Sequence, residues 1–148
     1  MNFELSDEQA ALAEMAAGLG ARREPDPNVS AEEAGEFPWD FARELHEHDL
    51  TGIDLPEAKG GQGLDLVDSV LVLSAVAGNA PHLADAVQAT NFGAIRQVAA
   101  FGGERLIDEV LRPALSGRAL LTVAMSEPSG GSALGGLHTR ARRVGDTV

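Results

Sequence analysis

Residues 123–132 have the sequence VAMSEPSGGS, and this segment says more about the fold than any other part of the chain. The apolar run from Leu120 to Met125 precedes a cluster of Ser, Pro and Gly, which predicts a β-strand that ends at Ser126. The small residues that follow add little bulk, so a flat ligand could approach the backbone closely. Amide groups at such a turn can also donate hydrogen bonds to an acceptor. On these residues alone, an ordinary strand-to-turn transition fits the segment equally well.

The chain before this segment predicts about six helices. Ser6 and Gln9 form a capping box at the start of the first helix. One face of that helix carries the apolar residues Leu12, Met15, Ala16 and Leu19. A short second helix is predicted at a weaker capping box formed by Ser30 and Glu33, and a third helix begins after Pro38. Three more helices are predicted: one over residues 64–77, one after Pro81 with a break at 91–93, and one over 104–115. Residues 64–77 are apolar almost all round, which predicts a buried central helix.

The last helix and the segment after it complete the predicted order of elements. Leu106, Val110 and Leu111 are expected to point inward, and Pro113 predicts an end or a kink. Residues 138–144 alternate in places between polar and apolar side chains, and Gly145-Asp146 is typical of a hairpin turn. The fold class predicted is therefore mainly α, with the first two strands of a sheet at the end. Two strands are not stable by themselves, so they need a partner that the sequence does not contain.

Composition excludes several classes of function. The net charge is −12, with Lys59 as the one lysine, so binding to nucleic acid or to an anionic membrane surface is not expected. There is no cysteine, which excludes disulfides, thiolate nucleophiles and cysteine-based zinc sites. The acidic N-terminus lacks the pattern of a signal peptide, and no apolar run is long enough to span a bilayer. A cytoplasmic protein is expected.

Other candidate sites have simpler structural explanations. The segment Lys59–Gly63 has glycines but neither the preceding strand nor the Gly-Lys-Ser/Thr of a phosphate loop, so a turn with positive φ is predicted. His46 and His48 are two residues apart on a helix and cannot chelate one ion together, so they are expected to face solvent. No Gly-x-Ser-x-Gly elbow and no carboxylate pair suited to acid–base catalysis is found.

Two motifs of the chain resemble those of the acyl-CoA dehydrogenases, a family that carries a Thr-Glu-Pro-x-x-Gly-Ser-Asp segment after a strand and a Thr-x-Ala strand later. Residues 126–133 (SEPSGGSA) and 139–141 (TRA) are similar to these two motifs. Upstream segments resemble the family in the same order: Leu5–Gln9, Phe37-Pro38, Gly52–Glu57, Gly60–Leu64, Phe101-Gly102 and Leu111–Gly117. The resemblance covers essentially the whole chain.

The resemblance implies an all-helical N-terminal domain at residues 1–117 and the incomplete beginning of a middle β-barrel domain at residues 118–148. It implies FAD and acyl-CoA as ligands of the complete assembly, a homo- or hetero-oligomer of dehydrogenase subunits. Met125 and Ser126 would then bind the isoalloxazine ring, and Ser132 would contact both FAD and the pantetheine side of the acyl-CoA. In the family reaction a carboxylate base removes the α-proton of the acyl thioester while a β-hydride passes to the flavin.

Two positions depart from the family motif. Ser126 stands where the family has Thr and keeps the hydroxyl, whereas Ala133 stands where the family has Asp and lacks its carboxylate. The catalytic glutamate, the rest of the barrel and the C-terminal helical bundle are expected beyond residue 148. No residue is therefore assigned as catalytic, Glu127 is placed in the turn, and the chain alone is expected to be inactive. The helices around Leu71 and Asn91 are expected to line part of the acyl pocket.

Two other functions stay open at this point. One is a non-catalytic partner subunit of a hetero-oligomeric dehydrogenase, which the Ala133 departure favours. The other is a related flavin-dependent monooxygenase or oxidase with the same fold, which the Ser126-Glu127-Pro128 segment disfavours.

Overall fold

A computed structural model describes residues 4–23 and 37–145 of the chain, and these residues are mainly helical. The longer helices are α1 (Asp7–Ala21), α2 (Trp39–Glu47), α3 (Leu66–Asn79), α4 (Ala84–Asn91) and α5 (Ala94–Phe101). Helix α6 (Glu104–Leu106) continues through a π-helical segment, Ile107–Leu111, into α7 (Arg112–Leu115). Short 3₁₀ turns occupy Glu57–Lys59, Pro81–Leu83 and Leu134–Gly136. The capping box predicted at Ser30 and Glu33 lies outside the described residues.

Helices α1 and α3 run side by side in the same direction. The predicted capping box is confirmed, since the Ser6 hydroxyl accepts from the backbone of Gln9 and the Gln9 side chain accepts from Ser6 N. The Gln9 amide also donates to the Asp68 carboxylate, at 2.9 Å, which joins the first turns of both helices. At the other end, Gly20 is so close to α3 that a Cβ there would lie 3.4 Å from the Val76 carbonyl. Of the predicted apolar face, Ala16 and Leu19 are buried, but Met15 is exposed.

The main core lies between α1, α2, α3 and α4. Its largest fully buried apolar side chains are Leu19, Phe41, Leu45, Leu50, Ile53, Val72, Val76 and Val87. A second cluster, which includes Ile95, Leu111 and Leu115, joins α5 to the α6–α7 helix. The predicted inward face of α2, Phe41, Ala42 and Leu45, is confirmed.

The helix predicted at residues 64–77 is present as α3, Leu66–Asn79, but the prediction that it is a buried helix was wrong for one of its faces. Val72 and Val76 are fully buried, but Leu64, Leu66, Val67 and Val70 are each about half exposed. The helix packs through one face only, because α1 and α4 cover that face and no described element covers the other. An apolar composition therefore did not identify which side of α3 the chain itself buries.

The inward face predicted for the last helix was wrong at one position. Leu106 is exposed, and Ile107 is buried in its place, while Leu111 is buried as predicted. The buried face consists of Ile107, Leu111, Ala114 and Leu115, so it begins one residue later than predicted. The backbone of Ile107–Leu111 is π-helical, and Arg112 N–H donates to the Ile107 carbonyl. Pro113 follows directly and lacks the N–H that an α-helix would need there.

The strands predicted at Leu120–Met125 and 138–144 are not formed in this structure. Within the described residues there is no β-strand, and the assigned bridge between Glu127 and Gly130 is an isolated one. A strand needs a hydrogen-bonded neighbour, and the described part of the chain offers none to Leu120–Met125. No helix among the described residues is both long and apolar enough to cross a bilayer.

Candidate functional site

The segment from Ser126 to Ser132 forms a tight turn closed by its own backbone. Glu127 N–H donates to the Gly130 carbonyl at 2.9 Å, and Gly130 N–H donates to the Glu127 carbonyl at 3.0 Å. Pro128 and Ser129 therefore lie at the tip. Met125, Ser126 and Ser132, the predicted cofactor-binding residues, are all exposed on the arms of this turn. The structure thus presents all three side chains to solvent.

Gly130 and Gly131 leave the surface of this turn open. Neither residue has a positive φ, so the backbone conformation does not require glycine at these positions. A Cβ at Gly130 would meet nothing within 4 Å, and one at Gly131 would lie 3.8 Å from Ser126 Oγ, an ordinary contact. Crowding inside the chain does not require glycine there either. The bare backbone is available for close approach by a ligand.

Glu127 joins the turn to the segment that follows the Leu134–Gly136 helix. Its Oε2 accepts from His138 N at 2.7 Å, and its Oε1 accepts from Thr139 N at 2.7 Å and from the Thr139 hydroxyl. The His138 amide and then the Thr139 hydroxyl and amide hold the pKa of Glu127 below its ordinary value, because they favour the carboxylate. The position of Glu127 in the turn is predicted from the sequence, but no local pattern predicts its contact with residues eleven and twelve positions further along.

A cavity of about 360 Å³ is lined in part by residues that shortly precede Met125 in the sequence. One wall is the extended segment Leu120–Val123, and the other is the break between α4 and α5. Phe92 is extended there and Gly93 has φ 65°, a conformation that glycine adopts without strain. The remaining lining residues are Phe37, Asp85, Gln88, Ala89 and Ala94. The Asn91 side chain is buried in the core and does not line this cavity.

A second cavity, of about 390 Å³, has charged groups with partners in the chain. Its lining includes Asp54, Lys59 and Arg96. Arg96 pairs with the buried Asp54 carboxylate at 3.0 Å, and the Lys59 ammonium donates to the Ala99 carbonyl. These charged groups already have partners within the chain, so a ligand is not needed to explain them.

Two other predictions from the sequence, the glycine turn at 59–63 and the exposed histidines, are confirmed by the structure. Gly60 and Gly63 have φ of 90° and 68°, which confirms a glycine turn at 59–63. His46 and His48 are exposed, as expected for residues on a solvated helix surface. Across residues 4–23 and 37–145, no group of three or more His, Asp or Glu side chains could hold a metal ion.

The family of the chain follows from its sequence as well as from this arrangement. Residues 6–118 match the family described as acyl-CoA dehydrogenase, N-terminal domain. The chain belongs to the acyl-CoA dehydrogenase family, as its motifs predicted.

Similar proteins span much more chain than these 148 residues. Benzylmalonyl-CoA dehydrogenase of Aromatoleum aromaticum is 34% identical over 97% of this chain, which covers 38% of that protein. The crystal structure of a probable acyl-CoA dehydrogenase from Mycobacterium abscessus is 35% identical, with a TM-score of 0.80, over 95% of this chain and 38% of the other. An acyl-CoA dehydrogenase of Bacillus anthracis, solved in complex with FAD, is 27% identical, with a TM-score of 0.73, over 90% of this chain and 23% of the other. The chain thus spans less than two fifths of these relatives.

Proposed function

We propose that the chain supplies the N-terminal half of the flavin site in an FAD-dependent acyl-CoA dehydrogenase. The complete assembly would oxidise the α,β-bond of an acyl-CoA thioester. The observation that carries this proposal is the exposed turn 126–132, whose Gly130 and Gly131 have no structural cause within the chain. The residues shortly before this turn, Leu120–Val123, line a cavity. Membership of the family and the FAD-bound relative support the choice of cofactor.

The proposed cofactor contacts are Met125, Ser126 and Ser132. The residues present fit a flat ring: the backbone at Gly130 and Gly131 is bare, and the Ser126 hydroxyl can donate to an acceptor. FAD, when bound, supplies the acceptor for the hydride that leaves the β-carbon. Ser132, at the far arm of the turn, would also contact the pantetheine side of the acyl-CoA. The cavity beside Leu120–Val123 would take part of the acyl group.

Removal of the α-proton requires a base that this chain does not supply. Glu127 is the carboxylate in the turn, but both of its oxygens accept hydrogen bonds from His138 and Thr139. Those bonds favour the ionised form and engage both oxygens with the following segment. We infer that the base comes from elsewhere in the assembly and that the isolated chain is inactive.

We propose a domain boundary at Gly117. The two buried clusters end at Leu115, and the backbone at Gly117 lies so close to that of Ala42 that a Cβ would come within 3.0 Å. Residues 118–148 would become the first strands of the β-barrel when the rest of that sheet pairs with them. The exposed apolar side of α3 and the net charge of −12 are compatible with an oligomeric assembly in the cytoplasm.

Flavin binding by the gene product that contains this chain tests the proposal. The purified protein should show flavin absorbance at about 450 nm that is bleached on addition of an acyl-CoA. The 148-residue chain alone should be colourless, because it holds only half of the site. Stoichiometric flavin on the isolated chain, or a gene product that carries no flavin, would overturn the proposal.

A second candidate is a non-catalytic partner subunit, favoured by Ala133 in place of the acidic residue of the family motif. Such a subunit would pack against an active dehydrogenase and shape its site without binding flavin itself. Intact mass of the expressed gene product, combined with identification of any longer homologous subunit that co-purifies, separates the two. A colourless gene product in a stoichiometric complex with a yellow homologue would favour the partner subunit.

A further inference from the structure

Glu127 makes two kinds of contact at the proposed flavin site. Its backbone closes the turn with Gly130, and its side chain binds a segment eleven and twelve residues further along the chain. The carboxylate oxygens accept from two consecutive backbone amides, each at 2.7 Å. Glu127 therefore takes part in closing the turn through its backbone and joins the turn to His138 and Thr139 through its side chain.

The Glu127 side chain connects the turn to the segment at 137–141, and no β-ladder among the described residues does so. Within the described residues, no ladder joins the segment at 120–126 to that at 137–141. Hydrogen bonds from N–H groups to a carboxylate are short and stronger than those between neutral groups. Two of them to adjacent amides restrict both the distance and the orientation of the turn. Ser126 and Ser132 lie on the arms of this turn and are exposed.

We propose that Glu127 is a positioning residue, which holds the turn of Ser126–Ser132 against His138 and Thr139 in the geometry that receives the flavin ring. The inference rests on the flavin site proposed above. Glu127 itself touches neither cofactor nor substrate. Its carboxylate acts through the backbone of the turn.

Two substitutions separate geometry from charge. Glu127→Gln keeps the length of the side chain but loses the charge and one of the two acceptor oxygens. Glu127→Asp keeps the charge but is shorter by one methylene, so it cannot reach both amides. If position is what matters, both variants weaken flavin binding. If a negative charge near the flavin is what matters, Glu127→Asp retains normal binding, which would overturn the inference. Glu14→Gln, an exposed glutamate on α1, is the matched control.

The contact itself is measured on the 148-residue chain, without flavin. Amide hydrogen exchange at His138 and Thr139 should be roughly 2- to 10-fold faster in Glu127→Gln, the range expected for one lost hydrogen bond. Exchange in α3 should be unchanged, since the turn lies outside both core clusters. Unchanged exchange at both amides would overturn the inference.

The effect of the Glu127 variants on flavin binding is measured on the flavin-bound gene product. Both Glu127 variants should raise the FAD dissociation constant by about tenfold, the change that a lost positioning contact of ordinary strength produces. The visible circular dichroism of the flavin should also change in the FAD-saturated variants, which a simple loss of folded protein would not cause. Normal FAD binding in Glu127→Gln would overturn the positioning role of Glu127 but not the proposed function. A wild-type gene product without flavin would instead overturn the proposed function, whatever the exchange at His138 and Thr139.

Discussion

The side-chain amide of Asn91 donates a hydrogen bond of 2.9 Å to the carbonyl of Leu50, and both residues are fully buried. The same amide bonds the Val87 carbonyl at 3.1 Å, and the Asn91 oxygen accepts from Ile53 N at 3.0 Å. The end of α4 is thereby fastened to the connection between α2 and α3. That connection lies next to the break at Phe92 and Gly93, which forms one wall of the proposed acyl cavity.

Asn91→Ala should lower the free energy of unfolding by about 3 kcal/mol, because it leaves the buried Leu50 carbonyl and Ile53 amide without this partner. Asn79→Ala is the matched control. Asn79 ends α3, is exposed, and makes one comparable bond to the Ala75 carbonyl, so its loss should cost about 0.5 kcal/mol. Urea unfolding followed by far-ultraviolet circular dichroism measures both. Equal effects of the two substitutions would contradict the role assigned to Asn91.

Gly61→Ala should destabilise the chain by about 2 kcal/mol or more, because the new Cβ would overlap packed atoms. A Cβ at Gly61 would lie 2.2 Å from the Leu55 carbonyl oxygen and 2.6 Å from that of Gly52. Gly78→Ala meets nothing within 4 Å and lies within α3, so it should leave the stability unchanged or raise it by up to about 1 kcal/mol. Thermal unfolding of the two variants compares them directly. A tolerated Ala at position 61 would show that the turn at 59–63 is built differently.

Gly131→Ala should weaken FAD binding by the gene product about tenfold, since a methyl group there would stand between the backbone and the ring. It should leave the stability of the 148-residue chain within about 0.5 kcal/mol, because Cβ would make only ordinary contact with Ser126. Gly135→Ala, where a Cβ also meets nothing, is the control and should bind FAD normally. Flavin fluorescence titration gives the dissociation constants. Normal binding by Gly131→Ala would contradict the placement of the ring on this turn.

The hydrogen bonds from His138 and Thr139 to the Glu127 carboxylate should weaken as the pH falls into the acid range. Hydrogen bonds from His138 and then Thr139 hold its pKa below the ordinary 4.5. With the folded pKa lowered, the stabilisation is fully present above the unfolded pKa and is lost as the pH falls through the folded pKa. The backbone amide resonances of His138 and Thr139 should therefore titrate together with a midpoint below 4.5, and Glu127→Gln should abolish that step. A midpoint at or above 4.5 would count against the contact.

Local signals in the sequence predicted the helical part of the fold well. The capping box of Ser6 and Gln9, the glycine turn at 59–63 and the break at Gly93 depend on neighbouring residues, and each was found. Leu106 is exposed and Ile107 is buried, the reverse of the prediction, because two adjacent large apolar residues leave the start of a buried face ambiguous in the sequence. Predictions that depended on neighbours a few residues away were thus the reliable ones.

Features that depend on distant parts of the chain were not predictable. The apolar composition of α3 did not show that Leu66, Val67 and Val70 face away from the core. Leu120–Met125 has the pattern of a strand, but the described chain offers it no partner. Glu127 and Thr139 are twelve residues apart, and no local rule joins them. Met125, Ser126 and Ser132 stay predictions as flavin contacts, because they came from family resemblance.

Hydrogen exchange of the gene product that contains this chain, with FAD bound and with FAD removed, determines whether the flavin lies on the turn of Ser126–Ser132. FAD should slow exchange at the amides of Met125–Ser132 and leave α1 unaffected. Flavin that binds stoichiometrically without any change in exchange across Met125–Ser132 would contradict this placement.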